Sequence, residues 1–225
     1  MEIRAYDETY LASAQNVLGH AIDFAIMTLN LDPDEFGKAF IVSDVSRQFA
    51  GGNPRFVAGM NGCELARQVL YEAHMSFTDA EDVMFLDKSP EYWAGWALAY
   101  YQWYSSCQFA DILTPVPLFR IIEMYPVYHE MDLCQFTDHM DDIMKEAYPM
   151  TRLKVHRMNN GLSQSELADY SGVKLRQIQL FEQRQRNINS AAAVTLLRLS
   201  KVLKCQIEDL MEPGFSVQNI SYRNR

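Results

Sequence analysis

Apolar residues recur along the first part of the chain with the spacing of buried helix faces. From Tyr10 to Leu31 they fall at steps of three and four, which predicts one helix with one face turned into a core. Asp32-Pro33-Asp34-Glu35 follows with an N-cap, a first-turn proline and a carboxylate three residues after the cap, so a second helix is expected to begin there. The residues expected to face inward on this second helix are Phe36, Phe40, Ile41, Val45 and Phe49.

Glycine and proline divide the rest of the N-terminal part. Gly51-Gly52-Asn53-Pro54 is expected to end the second helix, because glycine is entropically costly in a helix and the residue before proline avoids helical geometry. Further helices are predicted over Gly62 to about His74, from Ser89-Pro90-Glu91 onward, and over Val127 to Tyr148. The stretch 76–88 is rich in acidic residues and lacks helical periodicity, so we interpret it as a long loop or a hinge that divides the N-terminal part in two.

The helix predicted from Ser89 carries a stripe of large aromatic rings. The rings are those of Trp93, Trp96, Tyr100 and Trp103, which fall at steps of three and four and include all three tryptophans of the chain. Such a stripe is typical of core packing, but large rings also dock protein partners or stack on ligands and bases, because they give much contact area at little entropic cost. The sequence leaves these alternatives open, with base stacking the least favoured, since the surrounding acidic residues repel phosphates.

The last third of the chain, between Met150 and Met211, divides into five short helices at its own turn signals. Asn160-Gly161 ends the first helix with a left-handed C-cap. Ser163 with Glu166 forms a capping box that opens the second helix. Ser171-Gly172 then makes a tight turn, so the first two helices are predicted to be short and sharply bounded.

The third helix follows that turn directly, from about Lys174 to Gln183. Asn189 or Ser190 is predicted to cap a leucine-rich fourth helix, and Ile207 to Met211 gives a short fifth. A short helix, a glycine turn and a second short helix form the pattern of the helix-turn-helix motif.

Charge is divided unevenly between the two parts. Residues 1–149 hold 8 Lys and Arg against 23 Asp and Glu, a balance of −15, whereas residues 150–225 hold 12 against 6, a balance of +6. A local excess of positive charge favours contact with nucleic acid, which the overall charge of −9 conceals. Two parts with two roles are therefore expected, although an acidic part and a basic part that attract one another would give the same balance.

Several positions between 150 and 212 match one family of DNA-binding domains in residue type and spacing. They are Arg157, Gly161-Leu162-Ser163-Gln164, Glu166-Leu167-Ala168, Gly172-Val173, Ile178 and Glu182, followed by the leucine-rich fourth helix. The segment from Met150 to Met211, 62 of 225 residues, resembles the lambda-repressor-like, Xre-type helix-turn-helix family. The resemblance implies a compact five-helix domain whose third helix enters the major groove of double-stranded DNA, as a homodimer on a two-fold related operator.

The predicted fold class is therefore all-α, with three parts. An acidic N-terminal helical domain for dimerisation or partner binding is expected over 1–149, with the hinge at 76–88. The helix-turn-helix DNA-binding domain is expected over 150–212, and a polar, basic tail over 213–225.

The resemblance also implies structural roles within 150–212. In the family, the positions of Arg157 and Glu182 form a partly buried ion pair that ties the first helix to the end of the third. Such a pair orients the third helix without touching DNA, and loss of one partner is costly. The joint between the second and third helices is expected to consist of Leu167, Ala168, Val173 and Ile178.

Other residues of this segment are expected to contact DNA. Gln164 begins the second helix, where its side chain and the free amides can meet a phosphate. Further phosphate contacts are expected from residues that flank the third helix: Lys174, Arg184 and Arg186.

The outward face of the third helix, made of Leu175, Arg176, Gln179 and Leu180, is expected to face base edges. Arg176 can bind guanine O6 and N7 through two hydrogen bonds, Gln179 can address adenine, and Leu175 can touch a thymine methyl group. Two outward leucines depart from the usual polar face of such helices. They indicate an alternative in which another element or a protein partner covers this surface.

The sequence offers no motif for catalysis or for a metal site. It has no glycine-rich phosphate loop, no Gly-x-Ser-x-Gly turn and no His-Glu-x-x-His pair, and His129, Cys134 and His139 lie at five-residue intervals that do not share a helix face. We therefore expect no enzymatic activity, no metal and no cofactor. Four cysteines without a Cys-x-x-Cys pair, and an acidic start without a secretory leader, favour a cytoplasmic protein without a membrane span.

Three segments of the N-terminal part carry a second resemblance: NPRFVAGMNGCELA, SPEYWAGWALAYYQWY and MYPVYHEMDLCQF. They are similar to helical extensions of uncharacterised Firmicutes regulators, some of which accompany toxin genes. Two hypotheses follow. The protein is a sequence-specific transcriptional regulator, an autorepressor whose N-terminal domain dimerises or binds a partner, or it is an antitoxin that neutralises a protein toxin through that domain and represses its own operon.

Overall fold

The computed structural model of the protein describes residues 4–83 and 87–213, and all regular structure within those ranges is helical. The expectation of an all-α protein is therefore confirmed. The chain forms two compact units, residues 1–144 and residues 145–225, called here the N-terminal unit and the C-terminal unit.

The N-terminal unit begins with a 3₁₀ turn, Glu8–Tyr10, and with α1 (Leu11–Asp23), which continues as the π-helical turn Phe24–Thr28. The change to π geometry corrects the prediction of one regular helix from Tyr10 to Leu31. The other helices are α2 (Pro33–Val42), α3 (Asp44–Ala50), α4 (Pro54–Val57), α5 (Gly62–Glu72), α6 (Pro90–Ser105), α7 (Phe109–Leu113), α8 (Leu118–Glu123), α9 (Tyr125–Tyr128) and α10 (Leu133–Ala147), whose last three residues belong to the C-terminal unit.

Side-chain caps begin α2 and α6 where the sequence predicts these helices to start. Asp32 Oδ1 accepts hydrogen bonds from the next two free backbone amides, at 2.9 and 3.1 Å. Ser89 Oγ accepts one from the backbone N–H of Tyr92 at 2.9 Å. Each cap satisfies amides that have no partner within the helix, so these two starts are fixed by local sequence.

The core of the N-terminal unit is built on α1 and α6, which cross closely at two glycines. A Cβ atom on Gly95 would lie 2.5 Å from the carbonyl oxygen of Leu18, and one on Gly19 would lie 2.8 Å from the ring of Tyr92. Any larger side chain at Gly95 would push the two helix backbones apart. This contact joins the segments before and after the predicted hinge.

The second predicted helix is divided into α2 and α3. Ser43 is extended, with a ψ of 154°, and the Glu72 carboxylate accepts hydrogen bonds from the backbone N–H groups of Asp44 and Val45 at 2.8 and 3.3 Å. These bonds cap a new helix at Asp44. Ile41, predicted to face inward, is only half-buried beside the break.

The helix predicted over Val127 to Tyr148 is also divided. It is replaced by α9, which ends at Tyr128, and α10, which begins at Leu133. Asp132 Oδ1 accepts a hydrogen bond from the backbone N–H of Cys134 at 3.1 Å, so this carboxylate caps the start of α10.

The loop predicted over 76–88 is irregular in its described residues, 76–83 and 87–88. The Arg67 guanidinium on α5 holds its acidic part, donating hydrogen bonds to Asp79 at 2.7 Å, to Asp82 at 2.6 Å and to the Ala80 carbonyl at 2.6 Å. Both α5 before the loop and α6 after it belong to one compact unit. Positions 84–86 of the predicted hinge lie outside the described residues.

The C-terminal unit consists of short helices around one apolar core. Its elements are α11 (Arg152–Asn159), α12 (Gln164–Ser171), α13 (Leu175–Glu182), the 3₁₀ turn Ile188–Ser190, α14 (Ala193–Leu203) and the 3₁₀ turn Glu208–Leu210. The buried residues of the core are Leu153, Leu167, Val173, Ile178, Phe181, Ile188, Leu196, Leu199, Leu203 and Leu210.

The junctions on either side of α12 follow the sequence signals. Gly161 and Gly172 have φ values of +67° and +65°, a left-handed geometry that favours glycine. Ser163 Oγ accepts from the Glu166 backbone N–H at 3.1 Å, and the Glu166 carboxylate accepts from the Ser163 backbone N–H at 2.8 Å. The predicted capping box is confirmed.

The end of the unit differs from the prediction. The cap expected at Asn189 or Ser190 is wrong, because α14 begins after Ala192 without a side-chain cap. Asn189 is used elsewhere, in contacts with Glu212. The fifth helix expected over Ile207 to Met211 is reduced to the 3₁₀ turn at 208–210. The predicted tail lies outside the described residues except for Pro213.

Candidate nucleic-acid interface

The pair α12 and α13 is held together by the four residues predicted at their joint. Leu167, Val173 and Ile178 are buried, and Ala168 packs against the same core. Space is not the reason for glycine at the turn, since a Cβ on Gly172 would meet nothing within 4 Å. The reason is the left-handed backbone at Gly172, which would cost a residue other than glycine about 1 kcal/mol or more.

A buried ion pair fixes α13 against α11. Arg157 Nε lies 2.6 Å from Glu182 Oε1 and Arg157 Nη2 lies 2.9 Å from Glu182 Oε2, with the two side chains 11% and 2% exposed. Arg157 Nη1 also donates to the Leu162 carbonyl at 2.7 Å, and the Glu182 carboxylate raises the pKa of Arg157. Two parallel hydrogen bonds set the angle as well as the distance between the helices.

Gln164, predicted to meet a phosphate, is engaged by the same carboxylate. Its Nε2 donates to Glu182 Oε2 at 2.7 Å, so the side-chain amide points into the unit. Glu182 thus connects the beginning of α12, the end of α13 and α11. The structure gives Gln164 a place in this internal network in addition to its position at the beginning of α12.

The first turn of α13 faces solvent. Lys174, Leu175 and Arg176 are exposed, Leu175 by 37%. The side chains of Lys174 and Arg176 make no hydrogen bond or ion pair with any residue that the structure describes. Gln179 and Leu180, on the later part of the face predicted to read bases, are half-buried. The accessible part of this face is therefore its N-terminal half.

Arg184 does not have the free guanidinium that a predicted phosphate contact needs. Its Nη1 donates to the Pro149 carbonyl at 2.9 Å and its Nη2 donates to the Tyr148 carbonyl at 3.0 Å. Nη2 also lies 4.0 Å from the Glu212 carboxylate, and the side chain is 29% exposed. Phosphate contact by Arg184 would require these bonds to break.

Arg186, two residues further on, is exposed. Its guanidinium carbon lies 6.0 Å from the centre of the Phe181 ring, at the outer limit of a cation–π contact. Of the four phosphate contacts predicted from the sequence, Lys174 and Arg186 present an accessible cation.

Glu212 and Asn189 form internal contacts that the sequence did not indicate. Asn189 Nδ2 donates to the Glu212 carbonyl at 2.7 Å, and the Glu212 backbone N–H donates to Asn189 Oδ1 at 2.8 Å. The buried Glu212 carboxylate accepts from the backbone N–H of Arg152 at 2.6 Å, at the first residue of α11. These partners are 23 and 60 residues apart in sequence, so no local pattern reveals them.

The aromatic stripe on α6 is largely inside the N-terminal unit. Trp93 and Trp103 are buried, while Trp96 and Tyr100 are half-buried. Trp93 packs edge-on against Tyr125 and Phe136, with ring centres 5.8 and 5.5 Å away, and Trp103 donates its indole N–H to the Tyr6 carbonyl at 2.9 Å. Trp93 and Trp103 therefore leave little exposed surface for the partner-binding role predicted for this stripe.

Other kinds of site were sought among the described residues. They contain no group of three or more His, Cys, Asp or Glu side chains placed to hold a metal ion. Within the same residues, no helix is both long and apolar enough to cross a membrane. Comparison of the chain with protein-family models, with curated proteins and with solved structures gives no match.

Proposed function

We propose that the C-terminal unit is a helix-turn-helix DNA-binding domain and that the protein is a sequence-specific transcriptional regulator that represses its own gene. The observation that carries the proposal is the pair α12 and α13, two eight-residue helices joined at the left-handed Gly172. The second helix is fastened at its end by the Arg157–Glu182 pair and exposes Lys174, Leu175 and Arg176 at its beginning. A helix presented by its first turn is the geometry with which such motifs enter the major groove.

The exposed side chains suit the contacts that this proposal requires. Arg176 would bind guanine O6 and N7 through two hydrogen bonds, and Leu175 would pack on a thymine methyl group. Lys174 before α13 and Arg186 after it would neutralise phosphates on either side of the groove, which supplies affinity but no sequence information. Gln179 is half-buried, so we expect it to contribute less to base reading than Arg176 does.

The balance of charge supports placing DNA contact on this unit. Of the six carboxylates between 150 and 225, Glu182 and Glu212 are buried in contacts with basic or backbone groups, and Glu166 is held in the capping box. These bonds hold three negative charges at fixed places while Lys174, Arg176 and Arg186 face outward. The N-terminal unit, with its excess of carboxylates, would be repelled by phosphates and is left for dimerisation or partner binding.

Two copies of the unit would read a two-fold related operator, with the half-sites about one helical turn, roughly 34 Å, apart. Repression of its own gene follows if that operator overlaps the promoter of the gene, because the bound protein then blocks the polymerase. The resemblance to lambda-repressor-like domains supports this arrangement.

Fluorescence anisotropy of the full-length protein tests the proposal. The probes are labelled duplex DNA from upstream of its own gene and a scrambled duplex of the same composition, each titrated across a salt series. We expect binding to the native duplex to be tighter, and to weaken steeply with salt because phosphate contacts release counterions. Equal binding to both duplexes, or none, would contradict the proposal and assign the motif to protein contact.

A further inference from the structure

Two distant segments of the C-terminal unit meet the Arg184 guanidinium in the loop after α13. They are Tyr148-Pro149, between α10 and α11, and Glu212 near the end of the described chain. Arg184 follows α13 after a single residue, Gln183. Its contacts therefore join the segment Tyr148-Pro149 to the C-terminal end of α13, opposite the exposed first turn that the proposed function places on DNA.

The geometry of this contact favours a fixed anchor over a chance surface contact. The planar guanidinium reaches two consecutive carbonyl oxygens with two different nitrogens, a match to its rigid fork that a lysine ammonium lacks. Its Nε is buried and has no partner among the described residues, so the side chain is held by its two terminal nitrogens. The backbone of Arg184 is left-handed, with a φ of +52°, which costs a residue other than glycine about 1 kcal/mol or more.

The far side of the anchor is itself fixed. Asn189 holds the Glu212 backbone through two hydrogen bonds, and the Glu212 carboxylate accepts from the first amide of α11. The incoming chain is thus held on one side by Arg184 and on the other, three residues later, by Glu212 at Arg152. Because α10 ends at Ala147 and α11 begins at Arg152, Tyr148-Pro149 lies in the short segment that joins these two helices.

We propose that Arg184 is a positioning residue that couples the segment Tyr148-Pro149 to the C-terminal end of α13 and to the loop that carries Arg186, and that it does not contact phosphate itself. The inference rests on the proposed function of the C-terminal unit and names a route by which that function is regulated. A displacement of the segment 148–149 pulls on the loop 184–186, which carries Arg186, and so changes affinity for DNA.

The first experiment measures the anchor without DNA, by amide hydrogen exchange of the full-length protein over the peptide 145–155. Arg184→Lys keeps the charge but loses the two-pronged fork, and Arg186→Lys is the matched control two residues away. We expect faster exchange in Arg184→Lys and no change in the control. Unchanged exchange in Arg184→Lys would overturn the anchor.

The second experiment measures affinity for the native duplex in the anisotropy assay, with circular dichroism to verify that each variant is folded. We expect Arg184→Lys and Arg184→Ala to weaken binding alike, by about twofold to thirtyfold, the range for mutations that change the coupling between two sites. The slope of log affinity against log salt should stay at the wild-type value in both. A phosphate contact gives a different result: Arg184→Lys near wild type, and Arg184→Ala with a slope reduced by about 0.9. That result would overturn the proposal.

A double-mutant cycle closes the test of the coupling. Pro149→Gly loosens the incoming segment without removing either carbonyl acceptor. We expect it to weaken DNA binding in the wild-type background and to have no further effect in the Arg184→Ala background. If Pro149→Gly weakened DNA binding by the same factor in both backgrounds, the two substitutions would act independently and the coupling would be overturned. Failure of wild-type protein to prefer the native duplex would instead refute the proposed function, and the exchange experiment would still decide whether the anchor exists.

Discussion

The two units use their charged side chains in opposite ways. In the N-terminal unit, carboxylates are in excess, and three of the arginines, Arg47, Arg67 and Arg120, are paired with them. In the C-terminal unit, the buried carboxylate of Glu182 is paired with Arg157 inside the unit, and cations such as Arg176 remain at the surface. The sign of the charges exposed on each unit therefore indicates the partners of the protein better than the net charge of the whole chain does.

We expect the largest effect from removing the buried carboxylate of Glu182 in the C-terminal unit. Glu182→Ala leaves the Arg157 guanidinium buried without its charged partner and removes the acceptor of Gln164. We expect the free energy of unfolding of the C-terminal unit to fall by about 3–5 kcal/mol. All three tryptophans lie in the N-terminal unit, so urea denaturation should show an earlier far-UV dichroism transition with an unmoved tryptophan-fluorescence transition.

Glu123→Ala is the control for that variant. Glu123 pairs with Arg120 at 3.1 Å, but both side chains are mostly exposed, so we expect a loss of no more than about 1 kcal/mol. Each loss is measured from wild type on the urea transition of the unit that carries the substitution. Equal losses for the two variants would show that the Arg157–Glu182 pair contributes no more than a surface pair, and the contrast between the units would fail.

In the N-terminal unit, the corresponding test removes an aromatic ring. Trp93→Ala deletes a buried ring that packs on Tyr125 and Phe136, and we expect a loss of about 3–5 kcal/mol in the free energy of unfolding of this unit. The fluorescence of the two remaining tryptophans reports the transition. Trp96→Ala, at a half-buried position of the same helix, should cost less. A larger effect at Trp96 than at Trp93 would contradict core packing of Trp93.

The elements that the sequence predicted well are those whose caps are local. Ser163 and Glu166 cap each other across three residues, and Asp32 caps amides two and three residues away, so a short pattern contains both partners. The division of α2 from α3 depends instead on Glu72, which lies 28 residues from the amide that it caps. No periodicity in the segment 33–50 reveals that contact.

The candidate interface shows the same limit. Arg176 lies on a helix whose bounds and outward face follow from local pattern, and it is exposed as that pattern predicts. Arg184 has the same residue type and a similar place beside the helix, but its partners are carbonyl groups 35 and 36 residues earlier. Backbone carbonyls have no residue-type signature, so composition and spacing cannot separate a cation that anchors the chain from one that is free to bind phosphate.

Among the exposed cations of the C-terminal unit, Arg176 should matter most for sequence preference. We expect Arg176→Ala to cost about 1–3 kcal/mol on the native duplex and much less on the scrambled duplex, because a bidentate contact to guanine is lost. Anisotropy on the two duplexes measures both losses. Arg55→Ala, an exposed arginine of the N-terminal unit, is the matched control and should bind as wild type does. Equal losses on both duplexes would remove Arg176 from base reading.

Arg186 should have a smaller effect of a different kind. Since its exposed guanidinium is assigned to a phosphate, Arg186→Ala should weaken binding to native and scrambled duplexes by the same factor and reduce the salt slope by about 0.9, the release of one counterion. Titrations at several salt concentrations measure the slope, with Arg186→Lys as the charge-preserving control. A loss confined to the native duplex would instead place Arg186 on a base edge. Base reading would then extend from α13 into the loop after it, and would not be confined to the exposed first turn of the helix.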